Sequence, residues 1–375
     1  MSNPLSPLAG RALRVNGLSP ARSASMGLAR KLVWLLAAVL PAASPEFHWR
    51  EALPGYRFDF PRDHFDHPGF RTEWWYYTGN VTGSGGQRFG FELVFFRQGN
   101  QRTGQPAQSA WRIDDLYLAH AALTQADGKR FKYEERLNRA GPGIAGVSFD
   151  SRRVWNGNWS AQWNQDRQTL KAITPEFEFA LDLTPAKPPI INGVDGVSQK
   201  AEGRGKASYY VSFPRLDVKG SISASGTRYQ VTGTAWMDHE WFTHQLESAQ
   251  AGWDWFSVQL DNRTELMLFQ LRRKDGSIDP YSSGTYVDPA GVAHHLTSRD
   301  FRLVPLEKWT LYPVHWRIEV PSLKVQLDCR ALLDNQELKG AKGGTTYWEG
   351  AVNYSGSARG VGYLEMTGYA KPVEF

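Results

Sequence analysis

From about residue 47 onward the sequence is divided into short alternating runs by turn residues, and this punctuation most constrains the fold. Residues 73–81 (EWWYYTGNV) pass through Gly83-Ser84-Gly85-Gly86 into residues 88–97 (RFGFELVFFR), the pattern of a hairpin with a glycine-rich turn. Residues 116–124 and 131–137 repeat it around Asp127-Gly128. Shorter runs follow at 154–155, 159–163, 170–173, 177–183, 207–213, 216–224 and 227–235. A second series covers 253–260, 265–272, 285–287, 315–320, 324–332, 346–354 and 360–369. No long amphipathic helix is present; residues 243–251 have room for two turns at most. Two consecutive sets of short strands predict an all-β protein of two small antiparallel barrels, each closed so that no strand edge is left bare. The expected bounds are 47–240 and 241–375. Residues 184–206 (TPAKPPIINGVDGVSQKAEGRGK) lack periodicity and read as a long loop.

The 15 Trp, 15 Tyr and 19 Phe favour strands and apolar pockets. A formal charge of +5 suggests a basic protein, but Arg11, Arg14, Arg22, Arg30 and Lys31 all lie in residues 1–44, which hold no acid. Setting those five aside leaves 38 basic against 38 acidic residues, so no electrostatic footprint for nucleic acid remains. Arg30-Lys31, the apolar run 32–40 (LVWLLAAVL) and Pro41-Ala42-Ala43-Ser44 have the make-up of a signal peptide over about 26–44. The expected location is periplasmic or secreted, with an uncleaved membrane anchor as the rival. Cys329 is the only cysteine, which excludes an intrachain disulfide; its alternation with Val325, Leu327 and Ala331 reads as core.

Chemistry concentrates in residues 236–241 (WMDHEW), directly after an alternating strand. Period-two alternation places Met237, His239 and Trp241 on the apolar side and Asp238 and Glu240 on the polar side. His239 in a dry pocket suits acid/base work, against the alternative of a hydrogen-bonded core histidine. Asp254 shares a face with Phe256, Val258 and Leu260, where a carboxylate must be protonated or paired. It is either a general acid or the structural partner of a histidine or arginine. Trp75 and Tyr77 line a further apolar face, and His120 reads as a satisfied core histidine. Residues 63–67 (DHFDH) and His294-His295 offer ligand types without a metal-ligand spacing, so no metal is expected. No nucleophile elbow, phosphate loop or dinucleotide fingerprint occurs, which disfavours a serine hydrolase and predicts no cofactor.

The strings WMDHEW (236–241) and EWWYYTG (73–79) resemble the AttH/CrtC family, and the likeness runs from about Tyr56 to the C-terminus. The family includes carotenoid 1,2-hydratases and exported proteins described as secreted hydrolases. The resemblance implies paired lipocalin-like barrels and, for AttH-like members, an ABC transporter permease or lipoprotein as partner. Its hydratase branch implies a His-Xaa-Trp pair, matched by His239 and Trp241, and an acid on a following strand, matched by Asp254. Trp236, Trp241, Trp253 and Trp255, with Trp75 and Tyr77, would then hold a hydrophobic, lipid or isoprenoid-like ligand. In that chemistry a protonated carboxyl (Asp254, with Asp238 beside His239) protonates an alkene, an indole steadies the cation and His239 deprotonates water. The readings carried forward are a hydratase (a hydro-lyase) and a non-catalytic lipid or lipoprotein-binding accessory of an ABC exporter.

Overall fold

The alternating runs become strands of two antiparallel sheets. A computed structural model describes residues 47–100, 109, 112–244, 246–340 and 345–373; the signal-peptide segment lies outside them. Among the described residues no α-helix occurs, and the sheets have 13 and 10 strands. The first runs in space from Arg130–Arg139 through Asp115–Gln125, Arg88–Gly99, Thr72–Gly83, Thr227–Phe242 and Ala207–Ala224 to Phe177–Pro185. It then continues through Arg167–Ile173, Trp159–Asn164 and Arg153–Asn156 to Ala145–Ser148. The second sheet spans Gln250–Leu260 to Gly360–Met366 in sequence, with those two strands paired at its centre. Both sheets belong to one unit, Ser44–Phe375.

The first sheet curls into a nearly closed barrel, and side chains bridge the gap where ladder bonds stop. Buried Asn156 donates to the Tyr117 carbonyl at 3.0 Å and accepts from Asn138 at 2.6 Å, while Arg136 reaches the Asn156 carbonyl at 3.2 Å. Aromatic and aliphatic side chains, among them Trp75, Phe91, Trp159, Leu181 and Met237, fill its interior. The second sheet is a half-barrel around Phe256, Trp316, Ile318, Cys329 and Trp348.

Two sequence expectations change. The runs 207–213 and 216–224 form one strand, Ala207–Ala224, with a bulge between Phe213 and Leu216. Pro214 lacks the N–H needed to continue the ladder there. Its carbonyl instead accepts from Gln259 of the second sheet at 2.8 Å. Residues 184–206 form a clasp between the sheets rather than a free loop. Lys187 Nζ binds Glu265 at 2.6 Å, and Asn192 bridges Ser212 and Thr285 at 2.8 and 2.7 Å. Lys200 pairs with Glu240 at 3.2 Å and lies 4.0 Å from the Phe269 ring centre. This pattern has no period because its anchors answer to two different sheets.

The layer between the sheets is aromatic and acidic. Tyr76, Trp236 and Trp255 pack there, and Gly90 allows close approach, since a Cβ would stand 2.5 Å from that of Ala351. Glu92 accepts from Tyr347 at 3.0 Å, Glu349 accepts from Tyr76, and His120 bonds Tyr347 at 2.6 Å. Burial pushes the Glu92 and Glu365 carboxyls up to about 8, so both hold protons at neutral pH. Their ordinary value is about 4.3. The folded state therefore binds protons that the unfolded chain has released, and the stability they contribute is lost as pH rises towards about 8. We expect the melting temperature to fall by about 5 °C between pH 6.5 and 9. A Glu92→Gln/Glu365→Gln variant should have the shallower profile. Equal slopes for the two proteins would sink this assignment.

Candidate functional site

Strand register assembles the site. Thr72–Gly83 pairs with Thr227–Phe242 so that Glu73 faces Trp241, Trp75 faces His239 and Tyr77 faces Met237. On the other flank Arg97 lies opposite Glu73. Because side chains alternate, these residues share the inner side of the first sheet, while Tyr76, Trp236 and Asp238 serve the layer between sheets. Both faces are buried. The polar side expected for Asp238 and Glu240 is an interior one: they are 2% and 3% exposed.

A segment ahead of the first strand covers this end of the barrel. Its short 3-10 turn, Arg62–His64, leaves carbonyls without partners inside the turn. The Trp75 indole N–H donates to the His64 carbonyl at 2.9 Å, and His239 Nδ1 lies 3.1 Å from the Asp63 carbonyl. The turn thereby sets His67 beside His239, with ring centres 5.6 Å apart. Glu73 Oε1 lies 2.7 Å from His67 Nδ1 and 2.8 Å from His239 Nε2. Its Oε2 accepts from Arg97 Nε at 3.0 Å and the His67 amide at 2.9 Å. Arg97 also binds Asp115 at 3.0 Å and the His67 and Phe70 carbonyls at 2.9 Å each.

Indole rings enclose the cluster. Trp241 stacks on His67 at 3.8 Å with 2° between planes, and Trp75 stacks on His239 at 4.8 Å and 21°. Burial alone would raise the Glu73 carboxyl, but the His67 and Arg97 charges hold it far below its ordinary value. Burial opposes the charged form of His67 as well; there the Glu73 charge prevails and the net shift is upward. For His239 burial outweighs Glu73, and the shift is downward. Near the same end His64 is pushed down to about 4, by burial and then by His239. It stacks with Phe60 at 4.6 Å.

The expected residues separate into three places. His239, Trp241, Trp75 and Tyr77 share the interior of the first sheet, with Tyr77 donating to Gln168 at 2.8 Å. Asp238, Trp236, Trp253 and Trp255 belong to the layer between sheets. There Trp236 and Ser212 donate to Asp238 at 2.6 and 2.5 Å, Tyr210 donates as well, and burial pushes Asp238 up to about 7. Asp254 belongs to neither. It is fully buried, takes Gln270 at 2.7 Å and Arg272 at 3.0 Å, and burial raises it against the Arg272 charge. Of the two roles open to it, the arginine partner is the one this geometry supplies. His239 and Asp254 stand in different sheets with separate partners, so the structure does not bring this expected pair together. One ligand atom each of His67, Glu73 and His239 lies within 4.8 Å of the others. Sequence reasoning missed His67, Glu73, Asp63 and Arg97. The DHFDH string was the available signal, but its partners are remote in sequence.

A double-sheet, lipocalin-like β protein with a carboxylate–histidine cluster at one barrel end is thus defined. The AttH-like family model matches residues 51–369, and the chain belongs to that family. An AttH-type crystal structure from Nitrosomonas europaea is 34% identical, covers 85% of this chain and 99% of its own, and superposes with a TM-score of 0.78. Kievitone hydratase from Nectria haematococca is 15% identical over 80% of this chain and 89% of its own, with a TM-score of 0.59. CghA, solved with Sch210972, is 12% identical over 87% and 97%, with a TM-score of 0.50. The two last likenesses concern the fold. No curated protein matches the sequence.

Arg97 is the permanent cation on Glu73 and also ties down the covering segment. Arg97→Met should destabilise the protein by about 3–5 kcal/mol, because it strands a buried carboxylate. Urea unfolding would measure this. A loss below about 1 kcal/mol would mean that the cluster does not depend on that ion pair.

Proposed function

We propose that this protein is a hydratase-type lyase for a hydrophobic, unsaturated ligand, with its centre at His239, Glu73 and His67. One observation carries the reading: a buried carboxylate bridges two imidazoles, at 2.7 and 2.8 Å, between the faces of Trp75 and Trp241. So many polar groups in an apolar barrel are costly, and such cost is characteristic of functional sites. Adding water across a C=C bond puts a proton from the site on one carbon and the water oxygen on the other. The bound water then returns a proton to the site, which ends as it began. In between, the ligand is a carbocation, which indole faces attract. The buried Trp241 indole N–H has no acceptor among the described residues and is free to bind the added oxygen. The hydratase activity named for kievitone hydratase, on a similar fold, supports the reading. Asp238 and Asp254 are assigned structural roles.

A second reading, the non-catalytic accessory, is favoured by an open groove of about 960 Å³. Lys129, Arg130, Lys132 and Lys339 line it together with Asp334, Glu337, Trp309 and Leu311, and the surplus of cations beside apolar surface suits an anionic amphiphile. That role would place the mature chain outside the cytoplasm, beside an ABC exporter or a lipoprotein.

Mass spectrometry of the organic extract of protein from the exported fraction separates the two. The hydratase reading expects bound species differing by one water, interconverted by the protein with oxygen-18 uptake from labelled water. His239→Ala and Glu73→Gln should each slow conversion at least ~100-fold while the ligand is retained. Undiminished conversion by both folded variants would refute the assignment. A single unconverted amphiphile, retained by wild type and lost on charge reversal at Lys132 and Lys339, would establish the accessory role.

A further inference from the structure

We propose that His67, Glu73 and His239 bind a divalent transition-metal ion. This deepens the hydratase reading at the same residues, and its test requires no substrate. His67 Nδ1, Glu73 Oε1 and His239 Nε2 lie within 4.8 Å of one another. Two imidazoles and a carboxylate are a donor set for first-row divalent ions.

Proton counting supplies the independent argument. All four ring nitrogens face oxygens that act only as acceptors. His67 Nε2 faces Asp63 Oδ1 at 3.2 Å, and His239 Nδ1 faces the Asp63 carbonyl at 3.1 Å. The other two, His67 Nδ1 and His239 Nε2, both face Glu73 Oε1. Metal ligation requires both rings neutral, which leaves two N–H groups for these four contacts. If both protons lie towards Asp63, two nitrogen lone pairs and the Glu73 oxygen converge with no hydrogen between them. A cation at that point satisfies all three.

The surroundings fit such an ion. A metal-bound histidine usually donates its other N–H to a carboxylate or a backbone carbonyl. Asp63 supplies one of each. Arg97 and the His67 amide hold Glu73 Oε2, which leaves Oε1 for the ion.

Two ligands at ~2.1 Å from an ion are about 3.0 Å apart at right angles and about 3.4 Å apart at a tetrahedral angle. The observed 2.7 and 2.8 Å from Glu73 Oε1 need less opening for right-angled neighbours than for tetrahedral ones. In the hydratase reading, the ion would polarise the attacking water.

The test uses the mature chain, purified without a metal-affinity tag, stripped with chelator and dialysed against Zn2+, Mn2+ or, anaerobically, Fe2+. Elemental analysis should find about one equivalent of at least one ion, and that ion should raise the melting temperature. His67→Ala/His239→Ala, checked for native near-ultraviolet dichroism, should retain below about a tenth of an equivalent. Asp63→Asn should weaken binding about 10–100-fold. Wild type that retains none of the three ions overturns the proposal, as does full binding by the folded double variant. If the double variant unfolds, unchanged affinity in Asp63→Asn overturns it instead. Full metal loading with no water addition would overturn the hydratase reading alone.

Discussion

The structure depends on the Thr72–Gly83 strand being buried on both faces. Its partner Thr227–Phe242 follows it residue for residue, so each alternation of side chains serves a different interior. Glu73, Trp75 and Tyr77 build the inside of the first barrel, while Tyr76 and Thr78 meet the second sheet's side. A one-residue slip would exchange the two sets and strand every charge among apolar neighbours. The cost of that error, several unpaired buried groups, keeps the register fixed.

Charge is tolerated here because each buried group has a designated partner. Glu73 has Arg97 and two imidazoles, Asp254 has Arg272, and Glu265 has Lys187 and Arg215. Glu92 and Glu365 are handled differently: they keep their protons. The same sheet pair thus sets some carboxylates against cations and leaves others neutral, with a tyrosine hydroxyl on Glu92 and the Trp253 indole on Glu365. Paired charges of this kind add little net stability over apolar packing, so their presence at one barrel end argues for use rather than support.

Segments without a strand period finish what the strands begin. Residues 184–206 carry Lys187, Asn192 and Lys200 into the space between the sheets. The stretch around the Arg62–His64 turn delivers His67 to Glu73, sets Asp63 against His67 and offers two carbonyls to Trp75 and His239. Neither segment needs a repeating pattern, because each residue is held by a different element.

The sequence by itself determined the β class, the two successive strand sets, the core place of Cys329 and the inward course of His239. Alternation and turn residues are local physics, and they survive without knowledge of partners. It also identified the family through WMDHEW and EWWYYTG. Tertiary structure alone decided that Asp238 and Glu240 are buried, that Asp254 turns to Arg272, and that Pro214 bulges one strand instead of ending it. It alone decided that Glu73 meets His67 and His239. The reason is distance along the chain: 166 residues separate Glu73 from His239, and only strand pairing brings their faces together.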